Sequence, residues 1–290
     1  MRSTRRTKSL GAALAVAATA LAGAVAGAAP AGGAVTDVPP PGANDWSCQP
    51  SREHPEPVVL VHGTFENMLK NWSTLAPYLQ EEGYCVYALN YGNDATGPVD
   101  DSARELAPFV DAVLGATGAK KVDIVGHSQG GMMPRYYMHL LGGAKKVDDL
   151  VGIAPSSHGT QGLIVALDGE VVTTASTVDN PACPACQDQL AGSEFMQTLN
   201  ADGDTVRGPD YTVISTRYDE VVTPYQSQFL DGPADQVTNI LIQDKCPLDP
   251  IEHDQTPNDP VVHQLVRNAL ETDGPADPAF QPSCVSLPLS

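Results

Sequence analysis

The sequence predicts an α/β protein in which a mostly parallel central sheet carries helices on both faces. Short apolar runs typical of strands alternate along the chain with stretches of helical length, which is the pattern of βαβ units. The strand-like runs are apolar at successive positions, as expected when helices cover both sides of a sheet. A chain of 290 residues, 42% of them hydrophobic, is long enough to form one large core.

The predicted elements begin after a proline-rich and glycine-rich segment. The strands are expected at 58–61, 85–90, 122–125, 150–153, 211–216 and 237–242. The helices are expected at 69–82, 101–114, 129–141 and 260–270. Two helix starts are marked locally, because Asp259 precedes Pro260 as a cap and because Asp100 and Asp101 favour a helix N-terminus.

The first 34 residues have the features of a secretory signal peptide. A positively charged start precedes a nearly unbroken apolar run over 10–26, and small residues follow for cleavage near 28–34. No other stretch is apolar enough to span a bilayer. We therefore expect a secreted, extracellular protein, with an N-terminal arm at 35–57 and a single domain at 58–290.

The charge balance restricts the classes of partner. The chain has 16 Lys and Arg against 35 Asp and Glu, a net charge of −19. Such a protein is not expected to bind nucleic acid phosphates or anionic membranes, so we expect an uncharged substrate. A simpler interpretation, which we favour, is that the charge keeps an exported protein soluble.

The cysteine content fits an oxidising compartment. Six cysteines in an exported chain predict three disulfides. Taken in chain order, the pairs would be Cys48–Cys85, Cys183–Cys186 and Cys246–Cys284. The spacing Cys183-Pro184-Ala185-Cys186 also occurs in redox motifs, but we expect it to lie in a loop rather than at the start of a helix, and to act as a structural clip.

The most informative motif is Gly126-His127-Ser128-Gln129-Gly130, which follows an apolar run and precedes a helical stretch. A serine on a sharp strand-to-helix turn has its hydroxyl exposed at the sheet edge, and the flanking glycines allow the tight turn. The motif predicts a nucleophile elbow with Ser128 as the nucleophile. A glycine-rich turn without chemistry is the alternative.

A serine nucleophile needs an acid to orient its base, and the acid should follow a later strand. Asp219 comes shortly after the predicted strand 211–216 and is our candidate. Asp244 and Asp249 follow the next strand and are its rivals. A turn or cap role for Asp219 is the alternative.

The base should be a histidine that follows the last strand. His253 lies there, in a loop before the final helix, and is our candidate. His263 is the main rival, although its place inside a helix favours packing. His127 lies within the elbow and is not expected to reach back to Ser128.

The oxyanion of the tetrahedral intermediate needs preorganised N–H donors. We expect one from the backbone of Gln129, directly after the nucleophile at a helix N-terminus. The second should come from Thr64, just after the first strand, whose hydroxyl could add a further donor. Phe65 is the alternative.

A long segment, residues 158–200, interrupts the alternation of strands and helices and contains the apolar patch 163–167. Insertions of this length inside a domain are usually functional or have structure of their own. We interpret this insertion as a cap or lid over Ser128. A surface excursion with a short hairpin is an equally good interpretation.

Three segments, VVLVHGT (58–64), GHSQGGMMPRYY (126–137) and STRYDEVVTPY (215–225), resemble the secreted bacterial lipases of the α/β-hydrolase superfamily, in particular the actinobacterial class 2 lipase and esterase group. The resemblance implies the α/β-hydrolase fold and hydrolysis of carboxylic esters. It implies the same roles for the residues Ser128, Asp219, His253, Thr64 and Gln129.

The expected activity is that of a triacylglycerol lipase or carboxylesterase, working through a Ser-His-Asp triad and an acyl-enzyme. An acyltransferase or a polyester hydrolase on the same fold is the alternative. We expect no metal and no organic cofactor. The expected partner is a neutral ester or acylglycerol, either in solution or at a lipid–water interface, and the expected oligomeric state is a monomer.

Overall fold

The computed structural model describes residues 38–161, 165–167, 170–172 and 181–284. Within these residues, six strands form one parallel sheet in the order β2-β1-β3-β4-β7-β8. They are β1 (Val58–Val61), β2 (Val86–Leu89), β3 (Val122–His127), β4 (Val147–Ile153), β7 (Asp210–Ser215) and β8 (Val237–Leu241). The remaining two strands, β5 (Val165–Leu167) and β6 (Glu170–Val172), pair antiparallel as a hairpin.

The helices of the described residues lie between and after these strands. They are α1 (Met68–Asn71), α2 (Leu75–Glu81), α3 (Gly92–Ala95), α4 (Val99–Thr117), α5 (Gln129–Leu140), α6 (Pro184–Asp188), α7 (Glu194–Leu199), α8 (Ile242–Lys245) and α9 (Pro260–Glu271). A 3₁₀ turn, His253–Asn258, precedes α9. None of the described helices is both long and apolar enough to cross a membrane.

The sheet is buried on both faces because its strands are apolar at successive positions. In β1, Val58 and Leu60 pack into the cluster that includes residues of α2 and α9. Val59 and Val61, which point to the opposite face, pack into the cluster that includes residues of α4 and α5. The predicted α/β class with a parallel sheet and helices on both faces is confirmed.

The observed boundaries differ from the predicted ones mainly in the helices. The predicted helix 69–82 is two helices, α1 and α2, separated at 72–74. Thr74, in the break, donates from its hydroxyl to Asn258 at 2.7 Å, a contact between segments far apart in sequence. α6 and α7 were not predicted, because each is a single short turn or two inside the insertion.

The insertion (158–200) contains the hairpin β5–β6 and the two helices α6 and α7. The short hairpin agrees with one of the two interpretations of this segment. Much of the predicted apolar patch 163–167, and the segment 173–180, lie outside the described residues, as does the predicted signal peptide. A lid role for the insertion stays a prediction.

The structure contains three disulfides, Cys48–Cys85, Cys183–Cys186 and Cys246–Cys284, which are the pairs predicted from chain order. The expectation that Cys183 and Cys186 lie in a loop is wrong. Cys183 is the N-cap of α6, its sulfur accepts from the backbone N–H of Cys186, and Pro184 occupies the first turn. Both cysteines are buried.

Candidate active site

Ser128 lies at the sharp turn that joins β3 to α5. Its backbone has φ 55° and ψ −123°, a conformation that L residues rarely adopt. The turn depends on close backbone contacts, because a Cβ on Gly126 would lie 1.8 Å from the carbonyl oxygen of Gly130. A Cβ on Gly130 would lie 2.0 Å from the carbonyl oxygen of Val61. The glycines of the motif are therefore required by the geometry of the elbow.

Asp219 and His253 are in direct contact at the same edge of the sheet. His253 Nδ1 is 2.7 Å from Asp219 Oδ2, and both side chains are buried. Asp219 Oδ2 also accepts from the side-chain amide of Gln228 at 2.8 Å. With Nδ1 bonded to a carboxylate, the ring nitrogen left to accept a proton is Nε2.

The charge state of His253 is set by two opposing influences. Burial of the ring disfavours the charged form, while the hydrogen bond and negative charge of Asp219 favour it. The balance raises the pKa of His253 above the usual value for histidine. The ring is therefore a stronger proton acceptor than a free imidazole.

His127, the residue before Ser128 in the elbow, is in contact with His253. His127 Nε2 lies 3.1 Å from the backbone oxygen of His253, and the two rings are 4.9 Å apart. Among the described residues, no hydrogen bond joins the hydroxyl of Ser128 to the ring of His253. Such contacts are often long in unliganded enzymes and tighten when substrate binds.

A buried series of hydrogen bonds connects the loop that follows β1 to His253. The N–H of Gly63 donates to Asn71 Oδ1 at 2.9 Å, and Asn71 Nδ2 lies 3.2 Å from His127 Nδ1. Burial and the charge of His253 hold the pKa of His127 well below its usual value, so this ring is neutral. It can accept from Asn71 and donate to His253. His127 thus acts on the backbone of His253 and not on Ser128, as the sequence indicated.

The side chains of the two expected oxyanion residues are in contact. Thr64 Oγ1 donates to Gln129 Oε1 at 2.6 Å. The backbone N–H of Thr64 has no hydrogen-bond partner among the described residues, and Gln129 is the first residue of α5, whose N–H lacks an intrahelical partner. The N–H of Phe65 instead donates to the carbonyl oxygen of Asp94 at 2.8 Å, which argues against Phe65 as the donor.

The rival acids lie in other surroundings. Asp244 pairs with Arg217 at the surface, with 3.3 Å between the charged atoms. Asp249 accepts from the N–H of Ile251 in a turn. Neither has a hydrogen bond to a histidine among the described residues.

The rival histidine is used for packing. His263 Nε2 lies 2.9 Å from the carbonyl oxygen of Pro257, and its ring stacks on Tyr78. Burial lowers its pKa. The position of His263 inside a helix indicated this packing role.

Two further polar residues at the site were not predicted from the sequence. Asn71 lies in a short helix, and Gln189 comes from the insertion, where its side-chain nitrogen contacts both Thr64 and Gln129. Gln189 follows the Cys183–Cys186 motif by three positions, but nothing in the sequence indicates its contacts with Thr64 and Gln129.

Comparison with known proteins identifies the family of the chain. The model of the family described as lipase (class 2) matches residues 55–266. The chain belongs to the class 2 lipase family. Within this family, the matched segment includes every candidate residue of the site, from Thr64 to His253.

Curated relatives match over shorter stretches. A triacylglycerol lipase of Pseudarthrobacter phenanthrenivorans is 40% identical over 86 residues, which is 28% of this chain and 27% of that protein. A triacylglycerol lipase of Vibrio cholerae is 33% identical over 143 residues, 39% of this chain and 44% of that protein. This class 2 lipase family member thus matches less than half the length of these relatives.

Solved structures show the fold. Lipase B of Aspergillus fumigatus superposes with a TM-score of 0.68 at 22% identity, covering 83% of this chain and 57% of that one. The α/β-hydrolase MGS-MChE2, from a lagoon-sediment metagenome, superposes with a TM-score of 0.50 at 20% identity, covering 73% and 89%. The fold is therefore that of the α/β-hydrolases, as the resemblance implied.

Proposed function

We propose that this protein is a secreted serine ester hydrolase that cleaves neutral carboxylic esters, with triacylglycerols among its substrates. The observation that carries the proposal is the buried contact of 2.7 Å between His253 and Asp219, at the sheet edge where Ser128 occupies the elbow. Membership of the class 2 lipase family and the triacylglycerol lipases among the relatives support an ester substrate.

In the first half of the reaction, Ser128 Oγ forms a bond to the ester carbonyl carbon while its proton passes to His253 Nε2. The carbonyl electron pair moves onto oxygen, and this oxyanion accepts from the N–H groups of Thr64 and Gln129. Asp219 stabilises the imidazolium through Nδ1. The intermediate then collapses, the bond to the alcohol breaks, and His253 returns the proton to the leaving alcohol.

In the second half, a water molecule takes the place of the alcohol. His253 Nε2 accepts a proton from the water as its oxygen attacks the acyl carbon, and the same amides hold the second oxyanion. The carboxylic acid leaves and Ser128 regains its proton. These steps use only groups of this chain and water.

The decisive variant is Ser128→Ala, which removes the attacking oxygen and little else. We expect ester turnover to fall on the order of 10⁴-fold or more, with the melting temperature nearly unchanged. Hydrolysis of nitrophenyl butyrate and labelling by a fluorophosphonate probe are the measurements. Ser73→Ala, at an exposed serine in the loop between α1 and α2, is the matched control and should keep wild-type turnover. Persistent turnover or labelling in Ser128→Ala would contradict the proposal.

The substrate class needs a second measurement. A series of nitrophenyl and glycerol esters of rising acyl length, each below and above its solubility limit, separates a lipase from an esterase. A long-chain optimum with a rate increase at the emulsion threshold indicates a lipase, and a short-chain optimum indicates an esterase. Faster turnover of the matching anilides would exclude an ester hydrolase.

We also propose that the protein acts outside the cell as a monomer. Three disulfides support an oxidising compartment, because such bonds are rare in reducing cytosol. N-terminal sequencing of protein from the culture medium, with light scattering for the mass, tests both points. An unprocessed N-terminus or a stable dimer would contradict them.

A further inference from the structure

Gln189 lies against both residues that are proposed to hold the oxyanion. Its amide nitrogen is 2.9 Å from Thr64 Oγ1 and 3.0 Å from Gln129 Oε1. The side chain is only 2% exposed, so these hydrogen bonds are made out of contact with water. Buried polar contacts of this kind are costly to leave unpaired and therefore fix the geometry of a site.

Gln189 is itself held in place from several directions. Its side-chain oxygen accepts from the hydroxyl of Ser156 at 2.9 Å. Its backbone N–H donates to Ala185 in α6 at 3.0 Å, and its backbone oxygen accepts from Thr160 at 2.9 Å. The amide group therefore cannot turn away from Thr64 without breaking buried hydrogen bonds.

The number of protons in this cluster limits what the hydroxyl of Thr64 can do. A threonine hydroxyl has one proton to donate, and here it points to Gln129 Oε1 at 2.6 Å. The same hydroxyl can donate to an oxyanion only if it rotates away from that oxygen. Without another donor, the rotation would leave the buried carbonyl oxygen of Gln129 unpaired.

Gln189 supplies the missing donor. Its amide nitrogen has two protons and also lies 3.1 Å from the backbone oxygen of Ala185, but that oxygen keeps the backbone N–H of Gln189 as a donor. One amide proton can therefore point to Gln129 Oε1, 3.0 Å away, so that oxygen stays paired when the hydroxyl of Thr64 rotates. The second contact, from the amide nitrogen to Thr64 Oγ1, polarises the hydroxyl and strengthens it as a donor. Both effects act when negative charge develops on the substrate.

We propose that Gln189 is a positioning residue of the oxyanion site, which allows the hydroxyl of Thr64 to move from Gln129 to the oxyanion. The inference rests on the proposed function, since it assumes that Thr64 and Gln129 hold an oxyanion. It gives the insertion a direct part in the reaction, because Gln189 belongs to the insertion.

The first test is Gln189→Met, which keeps the length of the side chain and removes its donors. We expect kcat to fall about five- to tenfold, the effect of one neutral hydrogen bond, with KM within about twofold. The effect falls on kcat because the hydroxyl is needed in the transition state only. Gln187→Met is the matched control, since Gln187 lies in α6 two positions before Gln189 and its amide nitrogen has no partner among the described residues.

The second test separates positioning from a general structural role. In a Thr64→Val background, where the hydroxyl is absent, Gln189→Met should change kcat by less than about twofold. A structural role would instead give the same loss in both backgrounds. If Gln189→Met does not fold, Gln189→Glu replaces the donating nitrogen by an oxygen at the same side-chain length. It is then compared in the wild-type and Thr64→Val backgrounds in the same way.

The outcomes distinguish this inference from the proposed function. An unchanged kcat in Gln189→Met, or equal losses with and without the Thr64 hydroxyl, would overturn the role of Gln189 while Ser128→Ala stays inactive. An active Ser128→Ala variant would instead overturn the proposed function. A loss that disappears in the Thr64→Val background supports the inference.

Discussion

Asp219 shows how one carboxylate can serve two purposes at once. Its Oδ1 accepts from the backbone N–H groups of Val221 and Val222, at 2.9 and 2.7 Å, as a turn residue would. Its Oδ2 accepts from His253 and Gln228. The turn and the proposed catalytic contact are therefore not alternatives, since the turn fixes the carboxylate that orients the imidazole.

The raised pKa of His253 predicts the acid limb of the pH profile. A base with a raised pKa stays protonated to higher pH, so kcat/KM should fall as the pH drops through a value above about 6.5. Asp219→Asn removes the charge that raises the pKa, so the limb should move to lower pH. Turnover should also fall on the order of 10⁴-fold, since the amide no longer fixes the tautomer.

The measurement is kcat/KM for a short nitrophenyl ester between about pH 5 and 9, for the wild type and Asp219→Asn. Asp244→Asn, at the rival acid, is the control and should keep the wild-type profile. If the acid limb of the kcat/KM profile stays at the same pH in Asp219→Asn, this carboxylate does not act on His253.

At the scale of elements, α5 does more than present the elbow. Arg135, near its middle, is fully buried and donates to groups at the two ends of the insertion. The guanidinium contacts the backbone oxygen of Ser157 at 3.0 Å, Asn200 Oδ1 at 2.7 Å and the backbone oxygen of Asp204 at 2.9 Å. One cation thus fixes the exit and the return of the insertion against the helix that follows the nucleophile.

Arg135→Met should destabilise the protein strongly. The variant removes a buried cation that donates to three acceptors and pairs with Asp204. The Asp204 carboxylate keeps the N–H of Asp231 and His158 as partners, but losing the buried charge should lower the free energy of unfolding by about 3–5 kcal/mol. Arg135→Lys should not restore this stability, because an ammonium group cannot reproduce the directions of the guanidinium fork.

Urea unfolding of both variants measures the loss. The control is Arg104→Met, whose exposed ion pair with Asp100 should contribute no more than about 1 kcal/mol. A loss in Arg135→Met as small as that of the control would mean that the insertion is held by other contacts.

At the scale of the whole molecule, the sheet has acidic side chains at both of its edges. The proposed site lies at the carboxyl edge of the sheet, while buried acids gather at the opposite edge. Asp149, in β4, is half-buried beside the fully buried Asp123. Burial and the neighbouring Asp123 raise the pKa of Asp149 to about 10, and burial also raises the pKa of Asp123 well above its usual value. The pair therefore holds at least one proton at neutral pH.

These shifts predict how stability depends on pH. These carboxyls bind protons more tightly in the folded state than in the unfolded state. Their contribution to the free energy of unfolding is therefore complete at acid pH. It is lost as the pH rises above about 4, where the unfolded carboxyls ionise. Asp149→Asn removes one of the two shifted carboxyls, so the variant should melt about 2–4 °C higher than the wild type near pH 8, and its advantage should shrink towards pH 4.

Calorimetric melting of both proteins across this range is the measurement. Asp202→Asn, at an exposed acid on a loop, is the control and should show no pH-dependent difference. An advantage of Asp149→Asn that is constant with pH would contradict the linkage.

Local signals account for what could be read from the sequence. The alternation of apolar runs, the elbow glycines and the cap Asp259 each act within a few residues, so they predict strands, the turn at Ser128 and the start of α9. Chain order and strand order then led to the candidates Asp219 and His253, which the structure brings into contact. The break between α1 and α2 was not predicted, and Thr74 in that break contacts Asn258, which is far away in the sequence.

The sequence by itself determined the α/β class and the strand-to-helix turn at Ser128, because periodicity and turn stereochemistry are local properties of the chain. It also named the candidate acid and base, whose catalytic roles remain proposals. Only the tertiary structure decided which polar side chains meet around them. Gln189 and Thr64 are 125 positions apart, and Asn71 and His127 are 56 apart. Such contacts depend on how helices and loops cross at the sheet edge, where a shift of one residue would change every partner.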